Sequence, residues 1–336
     1  MVRQQSRDDL LALVASLYYE QDCNQQEIAE RLHLSRSNIS RMIQEAKAKG
    51  IVEVRVRKPI YRAEPLEHAL KERFGLVEAL VLDSMGRDSV DNLPGVGQLA
   101  ARYLEHILKP HTSLAISWGT GVHAAVHALT PMPELQVDVV QMLGSVGSSN
   151  QAIDGTELAR RLAELLGGRY YYLHAPVLVE NPTVRDMLIA EATIQETLDR
   201  ARKAAIALVG VGTTEAGANS FVRAGHLTEL QLSALRAQGA VGEISGQHFD
   251  IDGNPANLSI NRRVIGIDLE AVTHIPIVIG VARGLPKAKA ILAALRGRFI
   301  RVLATDDVTA AAILEHDALT HHSGQAMRAG QRQDGA

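Results

Sequence analysis

Residues 24–49, NQQEIAERLHLSRSNISRMIQEAKAK, constrain the fold more than any other stretch, because two helical apolar patterns follow one another with almost no chain between them. Ile28, Ala29 and Leu32 recur at steps of three and four, as do Ile39, Met42, Ile43 and Ala46. Asn24 is placed to cap the first helix, Glu27 three residues on completes a capping box, and Ser35 caps the second helix. Only His33 and Leu34 are left for the turn.

On a helical wheel the second helix gathers Ile39, Met42, Ile43 and Ala46 on one side and presents Ser37, Arg41 and Gln44 on the other, flanked by Asn38 and Ser40. Side chains of these types read base edges. Arg donates twice to guanine, Gln or Asn makes a paired contact to adenine, and Ser lets a helix sit deep in the major groove. Arg36 at the start of the helix and Lys47 near its end fall where phosphates are met, and the capping Ser35 is counted with the DNA-binding residues. Any packed surface helix has a polar outer face, so the next segment decides. Gly50 stops the helix, and in VEVRVRK from Val52 the valines 52, 54 and 56 alternate with Glu53, Arg55 and Arg57, predicting a half-buried strand with a basic outer face. Helix, turn, helix, glycine and basic strand is the order of a winged helix-turn-helix, in which Arg55 and Arg57 touch backbone phosphate beside the groove. The stretch resembles the helix-turn-helix of bacterial transcription regulators, with Ala29 and Ile39 at the small and apolar packing positions. Where that turn usually carries glycine this chain has His33, which predicts a strained turn.

A chain of 336 residues has room for more than this head. Its 46% hydrophobic and 22% charged residues exclude an intrinsically disordered chain, and no apolar run reaches the ~20 residues that span a bilayer. With one cysteine, Cys23, no internal disulfide framework or cysteine zinc site can form, and no signal peptide is apparent, so the expected compartment is the cytoplasm. Residues 1–58 hold 10 Lys or Arg against 8 Asp or Glu, a mildly basic head on a chain whose net charge is −3, which suits DNA contact through a small patch.

The expected organisation is a winged helix-turn-helix over 1–58, with a supporting helix near 8–20, a connecting helix over 59–75, an effector domain over 76–322 and a flexible tail over 323–336. From Leu76 short apolar strands alternate with helices: VEALVLD, SLAIS, VDVVQML, AAIALVGVG, PIVIGVA and FIRVLAT are each followed by helix-compatible sequence. That alternation predicts a doubly wound α/β domain. Its ligands belong outside the carboxyl ends of the strands, so the strand-to-helix joints carry the candidate site.

Four joints stand out. SWGTG brings Gly119, Thr120 and Gly121 to a helix N-terminus, where free N–H groups, a hydroxyl and close backbone approach suit a phosphate. QMLGSVGSSNQ offers Gly144, Ser145, Asn150 and Gln151 for sugar hydroxyls, and VGVGTTEAG supplies Gly212 but lacks the third glycine of a dinucleotide loop, so no cofactor is expected. VARGLPKAKAILAAL places Leu285, Ala288, Ile291, Leu292 and Leu295 toward the core and Lys287 in a first helical turn, where a cation is unfavourable unless an anion is near. Between the last two joints, GAVGEISGQHFDIDGNP contributes Glu243 as a sugar-hydroxyl acceptor, and Asp252 either as another or as a turn former.

SWGTG, VGEISGQHFDIDG and GVARGLPKAKAILAALRGRFIRVLATDDVTAAAIL, following the helix-turn-helix, together resemble the SorC/DeoR group of sugar-binding bacterial transcriptional regulators over residues 8–316. The resemblance implies an effector domain similar in fold to sugar-phosphate isomerases and CoA transferases, a phosphorylated sugar or polyol as effector, and a homo-oligomer, dimer or tetramer, on double-stranded operator DNA. It implies phosphate at Gly119, Thr120, Gly121 and Lys287, with hydroxyl contacts near Gln151 and Glu243. Some relatives have an arginine or a lysine where this chain reads Gln141-Met142-Leu143, so a second phosphate contact there is not expected. The rival class is a sugar-phosphate isomerase or aldolase with an appended head. It needs a general base or an imine-forming lysine, and Glu243 is the one carboxylate placed to serve, without a paired His or Lys.

Overall fold

The computed structural model describes residues 7–52, 60–86, 92–147 and 154–333 of the chain. These fall into two compact units, Met1–Pro59 and Ile60–Ala336.

The first unit contains α1 (Arg7–Tyr19), α2 (Gln25–Leu32) and α3 (Arg36–Ala48). The Asn24 side chain accepts the N–H groups of Gln26 and Glu27, both at 3.0 Å, and Glu27 returns the bond to the Asn24 N–H at 2.9 Å, which closes the capping box. Ser35 accepts the Asn38 N–H at 3.3 Å and starts α3. Leu11 and Val14 of α1, Ile28 of α2, and Ile39 and Met42 of α3 meet in a core of their own. The strand expected from Val52, with Arg55 and Arg57, lies outside the described residues.

His33 occupies the left-handed region at φ 55° and ψ 40°, as the missing glycine implied. A side chain there costs about 1–2 kcal/mol, of which glycine returns about 0.5–1 kcal/mol as entropy lost on folding. His33→Gly is therefore expected to stabilise this unit by a few tenths to about 1 kcal/mol in chemical denaturation; a loss of stability would show that the imidazole has a packing role.

In the second unit, α4 (Glu64–Phe74) precedes β1 (Glu78–Leu82), α5 (Leu93–Ile107), β2 (Ser113–Ile116), α6 (Thr120–Ala128), β3 (Asp138–Gln141), α7 (Gly155–Leu166) and β4 (Tyr170–Tyr171). Then come α8 (Pro182–Ala190), α9 (Ala192–Arg202), β5 (Ile206–Gly210), β6 (Gly212–Thr213), α10 (Ser220–Arg223), α11 (Glu229–Ala237), β7 (Gly242–Ile244) and β8 (Gln247–Phe249). The unit closes with α12 (Leu269–His274), β9 (Ile277–Val281), α13 (Ala288–Arg296), β10 (Val302–Asp306) and α14 (Asp307–Gln333).

Seven strands form one parallel sheet in the order β1-β10-β9-β5-β2-β3-β4. Alternate residues leave opposite faces. Leu80, Leu114, Ile116, Leu208 and Ile279 pack under α5, α6 and α7, while Ala79, Val81, Ala115, Val209 and Val278 pack under α9, α12 and α13. Burial on both faces is why these strands read as nearly continuous apolar runs. The strands β6, β7 and β8 form a separate antiparallel sheet.

Three sequence expectations change. The helix expected as a linker is part of the α/β core, with Leu70 of α4 fully buried. Leu285 is 58% exposed, because Leu285–Lys287 form a 3-10 turn after Gly284 at φ 99° and so leave the phase of α13. The helix α14 continues to Gln333, through the segment expected as a flexible tail.

Candidate functional site

From β2 the chain proceeds to β3 and β4 on one side of the sheet, and from β5 to β9 and β10 on the other. β2 and β5 are neighbours, so their crossovers diverge and leave a crevice at their carboxyl ends. A cavity of about 370 Å³, counting its open mouth, lies there, lined by Ser117–Gly121 after β2, Gly210–Gly212 after β5, Ser220, Glu243, Ser245, Val281 and Lys287.

The wall after β2 is the N-terminus of α6. Gly119, at φ 119° and ψ 169°, turns the chain into α6 without a side-chain cap, so the first N–H groups of the helix stay open. Gly121 permits this placement, since a Cβ there would lie 2.2 Å from the Val281 carbonyl oxygen. Ser117 ties the two strand ends together, its hydroxyl accepting the Gly210 N–H at 3.3 Å.

Opposite stands Lys287, whose ammonium donates to the Val211 carbonyl at 2.8 Å, one of its three N–H bonds. Burial pushes its pKa down to about 8 against the pull of Glu243, and Arg223 and Arg283 depress it further. The Glu243 carboxylate accepts the Gly246 N–H at 2.8 Å, and burial raises its pKa against that bond and the nearby Lys287. Lys287 and Glu243 thus act on each other in the cavity wall, with Arg223 and Arg283 near enough to depress Lys287 and Asp306 acting on Arg283 in turn.

The structure brings together Gly119, Thr120, Gly121, Gly212, Glu243 and Lys287 from four separate stretches of sequence. It places others elsewhere. Gly144 and Ser145 pack against Ala175–Val177, with the Ser145 hydroxyl donating to Asp154, which caps α7. Asp252 sits in a turn, its N–H bonded to Asp250 and its carboxylate 3.7 Å from Arg296. Asn150 and Gln151 lie outside the described residues. Gln141 has structural work instead of a phosphate: its side chain donates to Thr156 and accepts the Leu173 N–H. Sequence reasoning passed over Ser117, Ser220 and Ser245; the paired positive-φ turn Ser245-Gly246 between two short strands was the available signal for the last.

On α3 the residues Ser35, Arg36, Ser37, Arg41, Gln44 and Lys47 are exposed, with Asn38 and Ser40 half-buried, while Ile39, Met42, Ile43 and Ala46 are buried. Lys47 also lies 5.6 Å from the centre of the Tyr19 ring, which holds its stem against α1. Among the described residues no helix is long and apolar enough to cross a membrane, and no cluster could hold a metal ion.

A helix-turn-helix with a polar outer face, in one chain with a parallel α/β unit that keeps a cavity at its switch point, defines a ligand-binding regulator of transcription. The family model Sugar-bind, a sugar-binding domain, matches residues 58–315, and a MarR-family model matches residues 11–58. The chain therefore belongs to the sugar-binding family of transcriptional regulators that includes the SorC/DeoR proteins. The deoxyribonucleoside regulator of Bacillus subtilis is 34% identical over 300 residues, 89% of this chain and 95% of its own. The full-length sorbitol operon regulator SorC from Klebsiella pneumoniae superposes with a TM-score of 0.71 at 28% identity, over 93% of this chain and all of that one. A sugar-binding domain of a transcriptional repressor from Vibrio fischeri gives 0.68 at 33% identity, over 75% of this chain and 98% of its own. These relatives are described as regulators of transcription, not as enzymes.

Proposed function

We propose that the α/β unit binds a phosphorylated sugar or polyol, and that this ligand changes the affinity of α3 for operator DNA. Carrying most weight is the pairing of an uncapped helix N-terminus with the depressed Lys287 ammonium across one small cavity. The phosphate lies on Gly119–Gly121 and Lys287, and Glu243 accepts from sugar hydroxyls. The names of the relatives, a deoxyribonucleoside regulator and a sorbitol operon regulator, support a carbohydrate-derived ligand.

On the DNA side, Ser37, Arg41 and Gln44 read bases, with Asn38 and Ser40 beside them, and Ser35, Arg36 and Lys47 meet phosphates. Arg55 and Arg57 stay with that phosphate set. One such helix makes only a handful of phosphate contacts, so at least two copies of the chain act on one operator in the cytoplasm.

The test is operator binding by the full chain, with and without a panel of pentose, hexose and hexitol phosphates. A change in affinity with at least one of them is expected. Persisting DNA binding that no panel member alters would remove the effector half of the proposal, since a ligand with equal affinity for both states shifts nothing. Arg41→Ala is expected to cost about 1–3 kcal/mol at one base position and to relax preference there, whereas Arg36→Ala weakens all sequences alike and lowers the salt slope by about one. Unchanged specificity in Arg41→Ala would show that α3 docks through another face.

A further inference from the structure

Ser245 lines the cavity, is only 4% exposed, and its hydroxyl has no hydrogen-bond partner among the described residues. Leaving a buried hydroxyl unsatisfied is costly, and native structures supply the missing partner from a ligand or water. Its backbone adds a second anomaly. Ser245 and Gly246 form the two-residue loop of the β7–β8 hairpin with φ at 51° and 80°, positions where Asn and Gly are the inexpensive choices.

The hairpin also sets Ser245 beside Glu243. Glu243 of β7 and Ser245 in the turn that follows both line the cavity, while Ile244 between them is fully buried. The bond from the Gly246 N–H to Glu243 fixes the carboxylate within the same turn. A carboxylate-bearing and a hydroxyl-bearing residue two positions apart on one tight hairpin thus line the same cavity as Thr120 and Lys287.

We propose that Ser245 is a specificity-determining ligand contact: its hydroxyl bonds one hydroxyl of the sugar or polyol while Glu243 takes a neighbouring one, so the pair selects vicinal hydroxyls on the bound anion. The inference rests on the phosphate reading of the cavity and adds the residue that separates one phosphorylated polyol from another.

The test uses the full chain, its Ser245→Gly and Ser245→Ala variants, thermal shift and calorimetry, with inorganic phosphate, ribose 5-phosphate, glucose 6-phosphate and glucitol 6-phosphate as probes. Ser245→Gly removes the positive-φ strain and is expected to fold at least as stably as the parent. In both variants inorganic phosphate binds within about twofold of the parent, while the sugar phosphate that the parent prefers weakens by roughly tenfold, the worth of one hydrogen bond. Full retention of the parent's preference in both variants would show that the hydroxyl serves only the turn or a water. A parent that prefers no sugar phosphate over inorganic phosphate also overturns the proposal. If the parent binds not even inorganic phosphate, the anion reading of the cavity fails, and this inference falls with it.

Discussion

Ile39→Ala is expected to unfold the N-terminal unit and abolish operator binding while the α/β unit keeps its fold and its ligand. Ile39 is fully buried on α3, among Leu11 and Val14 of α1, Ile28 of α2 and Met42 of its own helix. Truncating a buried Ile to Ala costs about 2–5 kcal/mol, through lost transfer free energy and the cavity left behind. A unit this small has little to spare, because total stability runs at roughly 0.05–0.15 kcal/mol per residue. The substitution therefore removes most or all of the unit's margin without touching Arg41 or Gln44. The measurement is a melt by circular dichroism, alongside operator binding and the ligand-induced thermal shift of the full chain. Retained cooperative folding and DNA binding in Ile39→Ala would mean that α3 does not depend on this core.

The reading helices were legible because everything that makes them is local. Asn24, Glu27 and Ser35 are caps within three residues of their partners, and the apolar steps of α2 and α3 fall inside single helices. Even the cost at His33 was visible, since a turn of that length needs a residue at positive φ. The parallel sheet was legible for a related reason: strands buried on both faces must be apolar along their middles, and β1, β2, β3, β5, β9 and β10 carry their polar residues only toward their ends.

The remainder depended on distant contacts. β6 and β7 have two and three residues, too short for any period, and exist because Gly212 pairs with Glu243 thirty-one positions away. Asp252 and Glu243 look alike in sequence, a carboxylate among glycines, yet one sits exposed near Arg296 in a surface turn that Asp250 caps while the other is buried beside Lys287. Leu285 followed the period of α13 in sequence, but the turn at Gly284 starts a new phase three residues before that helix begins. Glycines in the four joints marked where the chain could approach a ligand; which joints actually meet was set by the strand order.

Lys287→Met is expected to raise the stability of the ligand-free chain and, at the same time, to weaken binding of inorganic phosphate or a sugar phosphate by roughly a hundredfold. The opposition follows from the linkage. Lys287 has its pKa lowered from 10.5 to about 8 in the folded state, chiefly by burial. Between pH 8 and 10.5 the unfolded chain therefore holds more protons than the folded one, so stability rises with pH across that window. At neutral pH both states are protonated and the folded state carries the full cost of confining the charge. Removing the charge is expected to return about 1–2 kcal/mol, after discounting for water that reaches a half-buried ammonium. An anionic ligand does the reverse: it stabilises the protonated form and lifts the pKa back toward its ordinary value. Above pH 8, where the phosphate is already fully ionised, affinity in the parent should thus fall by up to about tenfold per unit, with proton uptake on binding. The Met variant should lose that slope along with the affinity. Calorimetry in two buffers of different ionisation enthalpy, across pH 6.5 to about 9.5, reads both quantities. A Met variant that binds phosphate as tightly as the parent, or a parent whose affinity is flat through pH 9, would place the anion away from Lys287 and leave the N-terminus of α6 without its partner.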